Sequence, residues 1–234
     1  MIKPYYETDN GKLYHGDCLE ILPQLDVEVD LVLTDPPYEL DNTPPGKNNL
    51  STLGKAKSNK YKELCYGFNI EETFNKIKQE KVNMFVFCSN KQIPEIMSYG
   101  LSKDFYTTLL VWNKYNSPPF ANGVWRQDLE FIVHIREKGG YFEGGSEIKK
   151  KCTVLPYNST DIKHPTVKPT ELINKYIKIG SKENDLILDP FLGSGTTAVA
   201  AESLNRRWIG IEREQKYCDI AIERLKNEVQ YELF

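Results

Sequence analysis

At 234 residues the chain has room for one large α/β domain, or two small ones, and for a sizeable core. A formal net charge of -3 excludes a bulk polycation, so nucleic-acid contact would have to rest on a local basic surface. Five scattered cysteines (Cys18, Cys65, Cys88, Cys152, Cys218) and three separated histidines offer neither metal-ligand spacing nor a disulfide framework.

Met1-Ile2-Lys3-Pro4 leads into polar residues instead of an apolar signal segment, and no run approaches membrane-spanning length. The expectation is a soluble chain of a reducing, cytoplasmic compartment, without a metal centre. His15-Gly16-Asp17-Cys18 precedes apolar Leu19, Ile21, Leu22 and Leu25, where Asp17 can cap a helix. Asp17 can also accept from a purine amino group, and one role does not exclude the other. Val29 to Leu33 reads as a buried strand closed by Pro36 and Pro37.

Residues 39–66 then break the rhythm with Pro44, Pro45 and Gly46 and with Lys47, Lys55, Lys57, Lys60 and Lys62. A loop of that length is functional or disordered. Composition allows a mobile solvated insertion, whereas its start beside Asp35 and its lysines favour a lid or a contact to a phosphate backbone. A helix is expected over Ile70 to Gln79, a strand over Val82 to Cys88 and a helix over Gln92 to Ser102. Two neighbouring strands follow, Tyr106 to Trp112 and Leu129 to Ile135, in which His134 alternates with apolar residues and reads as structural. The glycine-rich excursion 138–163 carries Lys149, Lys150 and Lys151, as a turn-rich hairpin presenting lysines or a plain surface segment. A helix at Glu171 to Ile179, a strand at Leu186 to Leu188, a helix at Thr197 to Leu204, a strand at Trp208 to Ile211 and a helix at Gln215 to Val229 complete the chain. The alternation argues for a single domain built on a mostly parallel sheet covered by helices.

Chemistry concentrates at the strand ends. Asp35-Pro36-Pro37-Tyr38 is a stiff turn. The Asp35 carboxylate and the Pro36 carbonyl can accept both hydrogens of an amino group while Tyr38 stacks on its ring; an ordinary post-strand turn is the alternative. Asp189-Pro190-Phe191-Leu192-Gly193-Ser194-Gly195-Thr196-Thr197 joins a strand to a helix. Its glycines permit close ligand approach and its helix end favours an anion. Without a third glycine or a Gly-Lys-Ser/Thr it is neither a dinucleotide fingerprint nor a phosphate loop. A zwitterion fits, its ammonium on Asp189 and its carboxylate at the helix end. Glu212 ends the following strand, where an acid suits a ribose diol. Lys168, in His164-Pro165-Thr166-Val167-Lys168-Pro169, is either solvated or an organiser of substrate or cofactor. Ser194 is not in a nucleophile elbow.

In this order the segments resemble the S-adenosylmethionine-dependent amino-methyltransferases of DNA, in the permuted β group whose catalytic half comes first. Asp35 to Tyr38 matches the catalytic motif, His164 to Pro169 the segment before the cofactor glycines, Asp189 to Thr197 the cofactor loop and Glu212 the ribose acid. Gly16-Asp17, with Cys18 beside it, matches the adenine-side position, and Trp112-Asn113-Lys114 and Glu130 fall at recurrent polar positions. The resemblance implies a Rossmann-like, seven-stranded, mostly parallel sheet with one antiparallel strand. It implies S-adenosylmethionine as cofactor and double-stranded DNA as partner, in a monomer or homodimer, with a separate restriction endonuclease left open. It also implies methyl transfer to a flipped-out base. An aspartate heading the catalytic motif leans toward adenine N6 over cytosine N4; an inactive DNA-binding relative is the competing class.

Overall fold

The computed structural model describes residues 2–38, 68–117, 125–156 and 167–228. The lysines at 47, 55, 57, 60 and 62, and the end of the 138–163 excursion, lie outside them. The strands are β1 (Tyr6–Glu7), β2 (Gly11–His15), β3 (Leu31–Thr34), β4 (Asn83–Cys88), β5 (Tyr106–Asn113), β6 (Leu129–Arg136), β7 (Cys152–Val154), β8 (Leu186–Asp189) and β9 (Arg207–Glu212). The helices, in chain order, are α1 (Cys18–Ile21), α2 (Ile70–Phe74), α3 (Ile93–Ser102), α4 (Thr170–Gly180), α5 (Thr196–Ser203) and α6 (Gln215–Glu228).

The strands form one sheet in the order β1-β2-β9-β8-β3-β4-β6-β5-β7. β1 is antiparallel to β2 and β6 is antiparallel to both β4 and β5; the remaining pairings are parallel. The expected count of seven is therefore corrected to nine among the described residues. β1 and β7 are the additions at the two edges, too short to announce themselves by alternation. β2, Gly-Lys-Leu-Tyr-His, also escapes the periodic signal, because its burial does not strictly alternate.

Central β3, β4 and β8 are buried at every position, as expected of strands covered on both faces. Alternate side chains go to opposite sides. Leu31 and Leu33 join Leu172, Tyr176, Ala198 and Cys218 in the layer of α4, α5 and α6. Val32 joins Ile70, Phe74 and Ile96 in the layer of α2 and α3. α5 is buried at almost every position because its Thr-Thr-Ala-Val-Ala-Ala run is small enough to sit between α4 and α6. α2 ends at Phe74, short of the expected Gln79: weak helix formers surround that point, and the Lys78 carbonyl accepts from Val29 N at 2.9 Å instead of continuing a helix. Among the described residues no helix is long and apolar enough to cross a membrane.

His134 shows how the far side of the sheet is locked. Its ring stacks on Phe85 at 4.0 Å across the β4–β6 pair, and Nε2 lies 3.1 Å from Asn83 Oδ1. Asn83 Nδ2 in turn donates to the carbonyls of Tyr141 and Gly180, each at 2.9 Å. Burial, with Arg136 nearby, pushes the imidazole down to about 3. The unfolded chain thus takes up a proton near pH 6.5 that the folded one refuses. This part of the stability is complete above that pH and declines by up to about 1.4 kcal/mol per pH unit below it. In denaturant titrations from about pH 7.5 to 5, the stability advantage of the wild type over His134→Gln is expected to shrink as pH falls.

Candidate active site

A cavity of about 490 Å³ opens at the carboxyl ends of β2, β3, β8 and β9, within the size range of cofactor sites. It is lined by Asp17, Cys18, Asp35, Pro36, Pro37, Tyr38, Lys168, Asp189, Phe191, Gly193, Ser194, Thr196, Thr197 and Glu212. Gly195 is the exception among the expected cavity residues. Its φ is +84°, and a Cβ there would come within 2.7 Å of Ala221 Cβ, so it serves the close approach of α6 to the start of α5.

At one end, Asp189 organises the glycine turn. Oδ1 accepts from Thr34 Oγ1 at 2.7 Å and Phe191 N at 3.1 Å, and Oδ2 accepts from Thr197 Oγ1 at 2.7 Å. Burial pushes its carboxyl up to about 6 against these hydrogen bonds. Its oxygens are thus already committed to shaping the turn, beyond the ammonium contact expected of them. Glu212 Oε2 accepts from Gly193 N at 2.9 Å and Oε1 from Glu214 N at 2.7 Å. Each oxygen keeps a lone pair that a hydroxyl can use. Asp17 caps α1 by accepting from Leu19 N at 2.8 Å while facing the cavity. Burial pushes the Cys18 thiol up to about 12, which removes it as a thiolate nucleophile near neutral pH.

Two contributors here carry no readable sequence signal. Phe68 meets Phe191 edge-on at 5.3 Å and lines the cavity. Arg224, buried on α6, donates to Ser194 O at 3.0 Å and Thr196 Oγ1 at 2.8 Å and pairs with Glu228 at 2.7 Å. In sequence it is one more helix cation.

At the other end stands the Asp35 turn. Gln92 Nε2 donates to Pro37 O at 3.0 Å and fixes the turn from the start of α3. Asp35 Oδ2 pairs with Lys168 Nζ; Lys168 Nζ lies 3.4 Å from Glu130 Oε2, and Glu130 Oε1 lies 2.8 Å from Lys114 Nζ. Lys168, expected to organise substrate or cofactor, stands beside the Asp35 turn, over the rings of Phe87 at 5.1 Å and Tyr38 at 5.5 Å. Burial would lower its ammonium, but Asp35 and Glu130 outweigh burial and hold it up at about 12. Burial raises the Asp35 carboxyl, with Lys168 opposing. Asp35 Oδ1 and Tyr38 Oη, though near one another, have no hydrogen-bond partner of good geometry among the described residues.

The lysine triplet is elsewhere. Lys149 covers the Phe142 ring at 4.8 Å, Lys150 pairs with Glu147, and the Lys151 carbonyl accepts from Val111 N at 2.8 Å. All three precede the amino end of β7, which runs parallel to β5. The fold does not bring them to the cavity.

Carboxylates dominate the lining: Asp17, Asp35, Glu130, Asp189, Glu212 and Glu214 against Lys168 and Arg213. That donor set fits a ligand bearing an ammonium and a sulfonium, with hydroxyls for Glu212 and an apolar wall for a flat ring. An open α/β sheet carrying this glycine turn, this acid and a second polar turn on one edge defines a Rossmann-like methyltransferase that uses S-adenosylmethionine. A family model described as "DNA methylase" matches residues 29–223. The chain is 31% identical over 265 residues to the Type II methyltransferase M2.MboI of Moraxella bovis, covering 99% of this chain and 97% of that protein. It is 31% identical over 260 residues to M2.LlaDCHI of Lactococcus lactis subsp. cremoris, covering 100% and 96%. The M1.HpyAVI–SAM complex superposes with a TM-score of 0.69 at 30% identity, over 92% of this chain and 100% of that one. The PvuII DNA methyltransferase, cytosine-N4-specific, shares the fold with a TM-score of 0.67 at 20% identity, over 97% and 96%. The chain belongs to the N6/N4 DNA methylase family, the S-adenosylmethionine-dependent methyltransferases of DNA amino groups.

Arg224→Met leaves the Ser194 carbonyl and the Thr196 hydroxyl without their buried cationic donor. Cofactor affinity by calorimetry is expected to fall about tenfold or more, with the helical circular dichroism retained.

Proposed function

We propose that this chain methylates adenine N6 within a specific duplex sequence, with Asp35, Pro36, Pro37 and Tyr38 forming the acceptor pocket and the Asp189–Thr197 turn with Asp17, Cys18 and Glu212 holding the cofactor. The observation that carries the reading is Asp35 Oδ1: buried, without a hydrogen-bond partner among the described residues, and in one cavity with the glycine turn. The neighbouring Pro36 carbonyl receives none of the backbone turn and loop hydrogen bonds of the described residues, which leaves it as the second acceptor for the two hydrogens of an amino group.

The catalytic turn precedes the cofactor turn by about 150 residues in the chain, the order of the permuted β group, yet β3 pairs directly with β8. The seven longest strands, with β6 alone reversed among them, fit that group's sheet. The target base leaves the duplex at a cost of a few kcal/mol, offset by stacking and polar contacts in the pocket. Tyr38 stacks on it, and Asp35 Oδ1 and the Pro36 carbonyl accept from N6, turning its lone pair out of conjugation. When bound, the cofactor supplies an electrophilic methyl carbon on a sulfonium. Holding the amine in line with that carbon is the larger part of the catalysis. Lysines of the 39–66 segment contact the phosphate backbone, each neutralised phosphate adding about 0.9 to the salt slope. The Type II names of the relatives suit a modification role beside a separate endonuclease.

The aspartate at position 35 favours adenine; the cytosine-N4 enzyme that shares the fold keeps cytosine as the second reading. Incubation with mixed-sequence DNA, then nucleoside analysis and single-molecule mapping, is expected to show N6-methyladenine at one short motif; N4-methylcytosine alone overturns the adenine reading. Asp35→Ala is expected to lower single-turnover transfer by about 10²-fold or more while cofactor affinity changes little. Near-normal transfer by that variant removes Asp35 from the chemistry.

A further inference from the structure

Glu130 stands at the amino end of β6, paired across the sheet with Trp112 of β5. Its carboxylate is mostly buried and bridges two lysines, Lys114 through Oε1 and Lys168 through Oε2. Lys168, itself 7% exposed, also carries Asp35 on Oδ2. The four groups form a linear chain, Lys114–Glu130–Lys168–Asp35, whose formal charges cancel. They come from the end of β5, the start of β6, the segment before α4 and the turn after β3. Strand-borne Glu130 is the rigid member; Asp35 is on a turn.

We infer that Glu130 is a positioning residue for the transfer: with Lys114 it anchors the Lys168 ammonium so that Lys168 engages Asp35 through Oδ2 alone and leaves Oδ1 to the acceptor amine. This rests on the proposed amino-methyltransferase reading. A lysine ammonium is a compact point charge on a flexible stem, so nothing in its own geometry ties it to one oxygen of a carboxylate rather than the other. A second carboxylate, fixed by the sheet at 3.4 Å, supplies that tie. Removing Glu130 would take from the buried Lys168 ammonium its second carboxylate and free it to cover Oδ1, the atom the substrate needs.

Charge gives the arrangement a signature that a packing role lacks. The groups that act on Asp35 are Lys168, Glu130, Tyr38 of its own turn, Cys88 at the end of β4 and Asp189 at the end of β8. Of these, Glu130 raises the Asp35 carboxyl and Lys168 lowers it. Glu130→Gln should therefore let that carboxyl fall, and Lys114→Met, which leaves Glu130 less compensated, should let it rise.

The experiment measures single-turnover methyl transfer to duplex DNA between about pH 5.5 and 8.5 for the wild type, Glu130→Gln, Lys168→Met, the double variant and Lys114→Met. Cofactor affinity and thermal melting are followed in parallel. Glu130→Gln is expected to lose about tenfold or more in rate with cofactor affinity within about threefold. The acid limb of its profile moves to lower pH and that of Lys114→Met to higher pH. In the Lys168→Met background, Glu130→Gln should add less than about twofold, because its effect passes through Lys168. Wild-type rate and limb in Glu130→Gln, or effects that multiply in the double variant, overturn the inference. Should Glu130→Gln not fold, the limb of Lys114→Met decides, and no upward shift overturns it. A wild type that methylates no duplex instead brings down the DNA reading and this inference with it.

Discussion

A hydrogen bond of 2.7 Å from Thr34 to Asp189 joins segments 155 residues apart, and the site depends on it. It is possible because β3 and β8 pair in parallel with Leu31 opposite Ile187 and Val32 opposite Leu188, so both strands end at the same level. Asp189 then holds Thr197 and Phe191 with its remaining capacity, and the glycine turn takes its shape. The Asp35 turn and the glycine turn are thereby fixed to each other through one buried carboxylate. Chain order is free to vary as long as these two strands remain neighbours, because ligands of open α/β sheets bind beyond the carboxyl ends of the strands.

The cavity divides its electrostatic work. At the cofactor end, carboxylates accept from backbone and hydroxyl donors: Asp189 from Thr34, Phe191 and Thr197, Glu212 from Gly193 and Glu214. These bonds rigidify the turn and leave a negative field for a cationic ligand. At the acceptor end, carboxylates meet lysines, and charge is balanced within the cluster. Fixed dipoles and Asp35 Oδ1, which has no hydrogen-bond partner among the described residues, face the cavity there. Such preorganisation costs no rearrangement at the moment of transfer.

Legibility in the sequence followed how local each signal was. The buried strands β3, β4 and β8 and the turns that follow β3 and β8 were legible because continuous apolar runs ending in proline or glycine have few other readings. Asp35 and Glu212 were legible as acids at the ends of recognisable strands, whereas Asp17 was legible from the helix it caps and not from a strand, because β2 before it carries no periodic signal. Gln92, Phe68 and Arg224 were not, since each acts through a partner far away in sequence: Pro37, Phe191 and Ser194. Lys168 was legible as an organiser of substrate or cofactor, but its partners Asp35 and Glu130 were not, since adjacency to a helix start says nothing of which strand its ammonium reaches. The lysines at 149–151 gave no sign in the sequence of where they lie, which is before the amino end of edge strand β7 and away from the cavity.

The reversed direction of β6 has a further consequence. Since β6 runs against β4 and β5, the end of β5 and the start of β6 both emerge on the cavity edge. The main chains of Lys114 and Asp128 bond there at 2.7 Å, and Arg126 Nε donates to the buried Ser117 hydroxyl at 2.8 Å, so the described residues on the two sides of the connection are tied to each other. A parallel strand here would have needed a crossover returning from the opposite edge. The hairpin instead sets Lys114 and Glu130 side by side on the same edge as Asp35 without any intervening crossover.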